Sequence, residues 1–294
     1  MERKFFIVSN SFSGTGKAQK SLSKLKKRLD EEGFYYTVFL TPQSDQLDEF
    51  IEENIFSDST DVVVIGGDGT LNAALNGIKS LDVTLGIISA GTGNDFVKTI
   101  DIGETLEEQI ETIISGKPKT IDIGECNGRR FINGVGIGFD GQMVHDNIYK
   151  KSVLTGHAKY YALALKILGS YKSRPFKFII DGQKIEERLI IMAIHNGTTF
   201  GGGFKLNPEG IINDGLFNVC TVGRIPGWKR FLKIGKLSFG THGSMKEVKF
   251  YTAKNISVEP CPKTLNSHID GEFFGEPPFE IRILPGLCKV RTRS

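Results

Sequence analysis

Three glycine clusters and a handful of carboxylates hold the chemistry open to this chain. Residues 62–70 read Val-Val-Val-Ile-Gly-Gly-Asp-Gly-Thr. The β-branched run predicts a buried strand. From Thr70 onward Leu71, Ala74, Leu75 and Ile78 recur at helical spacing. A strand, a glycine turn and a helix start bring bare backbone N–H groups and the positive end of a helix dipole to one point, which suits phosphate. Asp68 would repel phosphate unless a cation lay between them, so Gly66–Thr70 implies a nucleotide site with Mg2+ near Asp68. In a plain turn, Asp68 would only cap the helix.

Other clusters have two readings each. Asn10-Ser11-Phe12-Ser13-Gly14-Thr15-Gly16-Lys17 is a polar glycine loop after a short apolar run, but Ser11 and Ala18 break the P-loop pattern. In Gly91-Thr92-Gly93-Asn94-Asp95, Thr92 suits a phosphate or ribose and Asp95 a metal; a turn with Asn94 or Asp95 as helix cap is the alternative. Gly136-Ile-Gly138-Phe-Asp-Gly141 matches G-x-G-x-x-G, yet no acidic residue follows about 20 positions on, so dinucleotide binding is not expected. Asp214, in the Asn207–Gly215 stretch, reads as part of a hairpin turn, with a hard-cation site as the alternative. By residue type alone Asp270-Gly271-Glu272 is a surface turn; Glu272 is a general base only if it reaches a phosphate. Arg224–Lys236 interleaves basic residues with Trp228, Phe231, Leu232 and Ile234, which fits an interfacial amphipathic segment or an ordinary packed helix.

The elements that must position these residues alternate over the first 120 positions. Strands are expected at Phe5–Val8, Tyr35–Leu40, Val62–Ile65 and Val83–Ile88. Helices are expected around Leu22–Leu29 (stopped by Gly33), Leu47–Ile55, Leu71–Ile78 and after the Thr105/Glu108 capping box. That order predicts an α/β, doubly wound parallel sheet, with ligands beyond the strand C-termini. From about residue 126 short strands dominate, with Asn127-Gly128 and Asp181-Gly182 as turns and a helical stretch at Tyr160–Leu168. The expected domains are 1–125 and a mostly antiparallel 126–294.

Charge divides the same way. Residues 1–125 carry 12 Lys and Arg against 21 Asp and Glu, whereas 126–294 carry 25 against 13. The basic half favours an anionic partner, either nucleic acid or a lipid surface; no aromatic-rich recognition module supports nucleic acid. Cys126, Cys220, Cys261 and Cys288 form no CxxC pair, so reduced thiols in the cytoplasm fit best. No stretch approaches the ~20 apolar residues of a spanning helix, so any membrane contact is expected to be peripheral.

The ordered set Asn10 with Ser13-Gly14, Thr41, Gly66–Asn72, Gly91–Phe96, Thr120–Gly124, Asn196-Gly197 with Gly201–Gly203, Asp214-Gly215 and Asp270–Glu272 resembles the bacterial diacylglycerol kinase-like lipid kinases, relatives of sphingosine and ceramide kinases. The resemblance runs over essentially the whole chain. It implies a nucleotide domain followed by a β-sandwich domain with the active site in the cleft between them. It also implies ATP and Mg2+ as cofactors and a membrane lipid as acceptor, most simply diacylglycerol giving phosphatidic acid. A sphingoid lipid, phosphatidylglycerol, an NAD-like molecule and a non-catalytic lipid-binding regulator are the alternatives.

Carried over, Asn10, Ser11, Phe12, Ser13, Gly14, Thr41, Gly66, Gly67, Asp68, Gly69, Thr70, Leu71, Asn72 and Thr92 would bind ATP. Asp68, Asp95 and Asp122 would hold catalytic Mg2+, and Glu272 would be the general base. Asp214 with the carbonyls of Ile211 and Leu216 resembles a structural Mg2+ site. The family's Asn-Pro-x-Ser-Gly-Lys loop is altered, with Ser11 in place of proline and lysine displaced to Lys17. A peripheral, cytoplasmic location on an anionic membrane, no nucleic-acid partner and a homodimer complete the expectations.

Overall fold

The computed structural model describes residues 3–10, 16–41, 47–54, 60–78, 82–149, 163, 165–201 and 203–293. The chain forms two compact units, Met1–Ile123 with Leu284–Ser294, and Gly124–Ile283. In the first unit β1 (Lys4–Ser9), β2 (Tyr35–Leu40), β3 (Asp61–Gly66) and β4 (Thr84–Ser89) are parallel, in the order β2-β1-β3-β4. Four helices accompany them: α1 (Lys17–Glu32), α2 (Leu47–Asn54), α3 (Asp68–Gly77) and α4 (Leu106–Ser115). Leu25 and Leu29 of α1 and Ile110, Ile113 and Ile114 of α4 pack with Phe5, Ile7, Val63 and Ile65 in one core cluster. Val62 and Val64, on the other face of β3, are equally buried, so this strand is covered on both sides, as a parallel sheet requires.

Local signals place the helix ends. Gly33 ends α1 in the left-handed conformation, φ 74°. Thr105 and Glu108 form the capping box of α4 with reciprocal side-chain bonds, an arrangement worth about 1 kcal/mol.

The C-terminal boundary differs from the sequence expectation. The chain's last strand (Phe279–Thr292) is long, and its Lys289 and Val290 pair in parallel with Thr84 and Leu85 of β4. Residues 284–294 therefore belong to the first unit rather than to a domain ending at 294. One buried carboxylate fastens this return. Asp61, at the start of β3, takes bonds from Arg3 Nε and Nη2 at 3.0 and 2.8 Å and from Arg291 Nη2. The two guanidiniums also donate to the carbonyls of Ile113, Ile114 and Gly116, so the first strand, the central strand, the end of α4 and the last strand meet at one charge cluster.

The second unit is antiparallel and β-sandwich-like. Its strands are β5 (Lys117–Cys126, entering from the first unit), β6 (Arg129–Phe131), β7 (Gly134–Gly138), β8 (Arg174–Ile180), β9 (Gln183–His195), β10 (Phe217–Gly223), β11 (Val248–Ala253), β12 (Asn255–Val258), β13 (Ser267–Ile269), β14 (Glu272–Gly275) and the first part of β15 (Phe279–Thr292). β9 organises the unit: its N-terminal half pairs with β8, and its C-terminal half lies between β7 and β10. Phe131, Phe176, Phe178, Phe217 and Phe279 fill the core. Asn127 and Gly128, and Asp181 and Gly182, take positive φ at the two predicted hairpin turns.

Two helices matter below, α5 (Phe139–Tyr149) and α6 (Gly227–Ser238). α5 is absent from the sequence reading. Of the predicted Tyr160–Leu168 helix, 163 and 165–168 are helical, the helix continues to 170, and the other positions lie outside the described residues. No helix among the described residues is long and apolar enough to cross a membrane.

Burial opposes the charge on Asp61, and the Arg3 and Arg291 guanidiniums more than offset it, holding the carboxyl below its usual value. A carboxylate so depressed contributes stability above its unfolded pKa of about 3.9, and that contribution is lost as pH falls through the folded value. Asp61→Asn is expected to destabilise the first unit by about 3 kcal/mol at pH 7, since two guanidiniums lose their counter-charge. Urea titrations at pH 7 and at acid pH check this: the gap between variant and parent narrows once pH falls below the usual carboxylate range.

Candidate active site

β3 and β4 are sheet neighbours with Gly66 opposite Ser89, so the turns that follow them meet. They meet backbone to backbone. A Cβ built on Gly91 would lie 2.4 Å from the Cα of Gly67, and one on Gly93 would lie 2.8 Å from Asp68 Oδ2. No larger residue fits at Gly91 unless the turns separate. Ala90 and Gly91 donate their N–H groups to the Gly66 carbonyl at 2.8 and 3.1 Å, and Asp95 N donates to Asp68 Oδ1 at 2.9 Å. The two glycine clusters are thus one structure.

α3 begins at Asp68 with Gly67 as its N-cap, and its first intrahelical bond runs from Leu71 N to the Gly67 carbonyl. The N–H groups of Asp68, Gly69 and Thr70 precede that bond and carry the positive end of the helix dipole. Leu71 and Asn72 are buried under this turn, and Thr92 is exposed beside it. Asn10, following β1, donates its N–H to the Ile65 carbonyl at 3.0 Å and its side-chain amide to Thr70 Oγ1 at 3.2 Å, which brings the first loop's base to the same edge. Thr41 follows β2 on that edge. Its buried hydroxyl, and that of Ser9 at the end of β1, have no hydrogen-bond partner among the described residues. Ser9 was missed by sequence reasoning because it belongs to no glycine cluster or carboxylate motif. Ser11, Phe12, Ser13 and Gly14 lie outside the described residues.

The three carboxylates expected to hold Mg2+ are not alike. Asp68 and Asp95 are joined through the Asp95 N–H, while the Asp95 carboxylate pairs with Lys98 Nζ at 2.9 Å. Asp122, buried in β5, accepts from Gly286 N at 2.7 Å. Among the described residues no three His, Cys, Asp or Glu are gathered into a ready cation site. Asp68 and Asp95 still fit Mg2+, which commonly takes one or two carboxylates and completes its shell with substrate phosphates and water. Asp214 closes a tight turn, its Oδ1 accepting from Leu216 N at 3.0 Å; Ile211 is exposed. This bond from the residue two positions on is an Asx turn.

In the second unit Glu272 opens β14, and its Oε2 meets Arg129 Nη2 at 3.2 Å. The turn that presents it is held by two side chains to which sequence reasoning assigned no role of their own, Asp270 and His268. Asp270, 6% exposed and at φ 47°, accepts from the N–H groups of Ile132, Asn133 and Gly134 at 2.9–3.0 Å. His268 Nδ1 accepts from Gly271 N at 3.2 Å, and His268 Nε2 faces Asp140 Oδ2 at 3.4 Å. Asp140 in turn lines an apolar cavity of about 100 Å³, walled by Met143, Ile190, Phe200, Val222 and Met245 among others. These residues come from α5, β9, β10 and two loops, so no local pattern marks them in the sequence. A line of contacts therefore runs from an apolar cavity through Asp140 and His268 to the turn that carries Glu272.

Residues 4–126 match the diacylglycerol kinase catalytic domain family, and residues 133–292 match the YegS C-terminal NAD kinase beta sandwich-like domain family. The diacylglycerol kinase of Bacillus subtilis (strain 168) is 27% identical over 278 residues, covering 93% of this chain and 91% of its own. That of Mycobacterium tuberculosis (strain H37Rv) is 28% identical over 295 residues, covering 98% and 94%. A crystal structure of a diacylglycerol kinase from Bacillus anthracis str. Sterne superposes with a TM-score of 0.75 at 25% identity, covering 99% of this chain and 97% of its own. The strand–turn–helix at Asp68, the sandwich-like second unit and these matches over nearly the full length agree, and the chain belongs to the diacylglycerol kinase-like family of bacterial lipid kinases.

Proposed function

We propose that the protein transfers the γ-phosphate of ATP, with Mg2+, to the hydroxyl of a membrane lipid, and that diacylglycerol is the acceptor, giving phosphatidic acid. The observation that carries this reading is the apolar cavity of the second unit, linked through Asp140 and His268 to the turn bearing Glu272. An acceptor with an acyl chain and a hydroxyl suits such a cavity, and a soluble, highly charged acceptor does not. The curated relatives in Bacillus and Mycobacterium bear the name diacylglycerol kinase, which supports the same acceptor.

In this reading the N–H groups at the start of α3, the Gly91–Asp95 turn and Asn10 receive the nucleotide phosphates. Glu272 takes the proton from the lipid hydroxyl. The hydroxyl oxygen forms its bond to the γ-phosphorus as the bond to the ADP oxygen breaks, and ADP leaves with that electron pair. Asp68 and Asp95 would hold Mg2+, which supplies charge neutralisation on the phosphate oxygens. Asp270 keeps the Glu272 turn in place through its three N–H bonds. The partner is the membrane that contains the acceptor, and the excess of Lys and Arg after residue 126 suits an anionic leaflet.

Incubation with radiolabelled ATP, Mg2+ and diacylglycerol in mixed micelles is expected to give organic-soluble phosphatidic acid. Glu272→Ala should lower that rate by about 10²-fold or more, as loss of a general base does. Organic-soluble label formed equally by the variant would remove Glu272 from the mechanism, and label confined to water-soluble products would remove the lipid acceptor. Asp68→Asn is expected to cost at least ~10²-fold in rate; a near-parental rate for this variant would end the role given to Asp68.

A further inference from the structure

α6 is amphipathic in an unusual sense, since its outward face is the apolar one. Trp228, Leu232 and Phe239 are 67%, 76% and 80% exposed. At 3.6 residues per turn Trp228, Leu232, Gly235 and Phe239 fall within about 60° of arc, one narrow stripe. Phe239 keeps the helical register just past the helix end, since its N–H donates to the Gly235 carbonyl at 3.0 Å. The opposite side is anchored. Arg230 is buried and donates to the carbonyls of Ile225, Leu168 and Tyr171 at 2.6–2.8 Å, and it also lines the apolar cavity.

The charges that α6 itself carries are of one sign, and one of them, Lys233, is paired with Glu247 at 2.7 Å. Gly227–Phe239 contains no Asp or Glu, and Lys229 and Lys236 sit together on one flank of the stripe, both exposed, with Arg224 exposed just before the helix. The Lys229 ammonium lies 5.2 Å from the Trp228 ring. An aromatic-led apolar stripe bordered by cations complements a bilayer with anionic headgroups: rings and Leu enter the acyl boundary while ammonium groups meet phosphate. Two copies of this face would instead set their cations against each other.

We propose that the Trp228–Leu232–Phe239 stripe of α6 is the surface by which the protein docks on an anionic lipid bilayer. The inference rests on the lipid-acceptor reading, to which it adds the partner surface. α6 has its anchored side on the apolar cavity and its apolar stripe turned outward, so a docked helix would set the cavity wall directly beneath the membrane boundary.

Trp228 is the sole tryptophan of the chain, so its fluorescence reports this face alone. Addition of phosphatidylcholine–phosphatidylglycerol vesicles is expected to shift its emission to the blue, with phosphatidylcholine vesicles giving a smaller shift and high salt reversing it. Lys229→Ala combined with Lys236→Ala should lower the vesicle partition coefficient roughly 10- to 30-fold. Leu232→Ser combined with Phe239→Ser should lower it roughly 30-fold or more. Both double variants should keep parental activity on short-chain diacylglycerol dispersed in detergent, which shows that they fold.

Vesicle binding that both double variants retain at parental strength would overturn the proposal. So would a blue shift that needs no vesicles, grows with protein concentration and accompanies a doubled mass, since a second copy would then cover the stripe. A vesicle-dependent shift, lost in the variants, in a protein that phosphorylates no lipid would uphold the docking surface and remove the kinase reading.

Discussion

The contact on which the first unit's chemistry depends is the approach of two backbones at Gly67 and Gly91, too close to admit a Cβ on Gly91. It follows from the parallel pairing of β3 with β4, which ends both strands at the same level. Because no side chains intervene, the first turn of α3 and the Gly91–Asp95 turn lie backbone against backbone, with the Gly91 N–H on the Gly66 carbonyl and the Asp95 N–H on Asp68 Oδ1. The same approach lets Asp68 reach the Asp95 N–H, so a carboxylate stands at the positive end of a helix, beside the turn proposed to receive phosphate. In the proposed function, a carboxylate there would hold a cation against phosphate.

The second unit solves a different problem, that of holding an acidic turn in one conformation. The Asp270 carboxylate is nearly buried and gathers the backbone N–H groups of Ile132, Asn133 and Gly134, and His268 Nδ1 accepts from Gly271 N within the turn itself. Unpaired, each of those buried N–H groups would cost about 1–3 kcal/mol, so the turn has strong reason to keep its shape. Glu272 stands at the end of this scaffold, while the cavity beside Asp140 offers apolar walls.

Much of this was legible in the residues. Strand and helix alternation up to Ser115 followed from hydrophobic period, the α4 start from Thr105 and Glu108, and the two hairpins from Asn127-Gly128 and Asp181-Gly182, where only αL-tolerant residues fit. The glycine turn at Asp68 was legible because three glycines exceed what a cap requires. Four features were not. The return of residues 284–294 to the first sheet depends on Arg291 finding Asp61 across 230 positions, and no local pattern encodes that. Asp270 reads as a turn residue because its N–H partners lie near residue 133. The cavity is assembled from separate elements whose lining residues each look like ordinary core. α5 falls where short strands were expected to dominate, yet the helix starts at once after β7.

The most direct test of the proposed nucleotide cradle is amide hydrogen exchange with and without ATP and Mg2+, on the parent and on Gly91→Ala. In the parent, residues 66–72 and 91–95 should slow together when ATP binds, and the variant, with its turns forced apart, should lose both the protection and the affinity. ATP binding that protects neither turn, or a Gly91→Ala protein that binds ATP like the parent, would contradict the account.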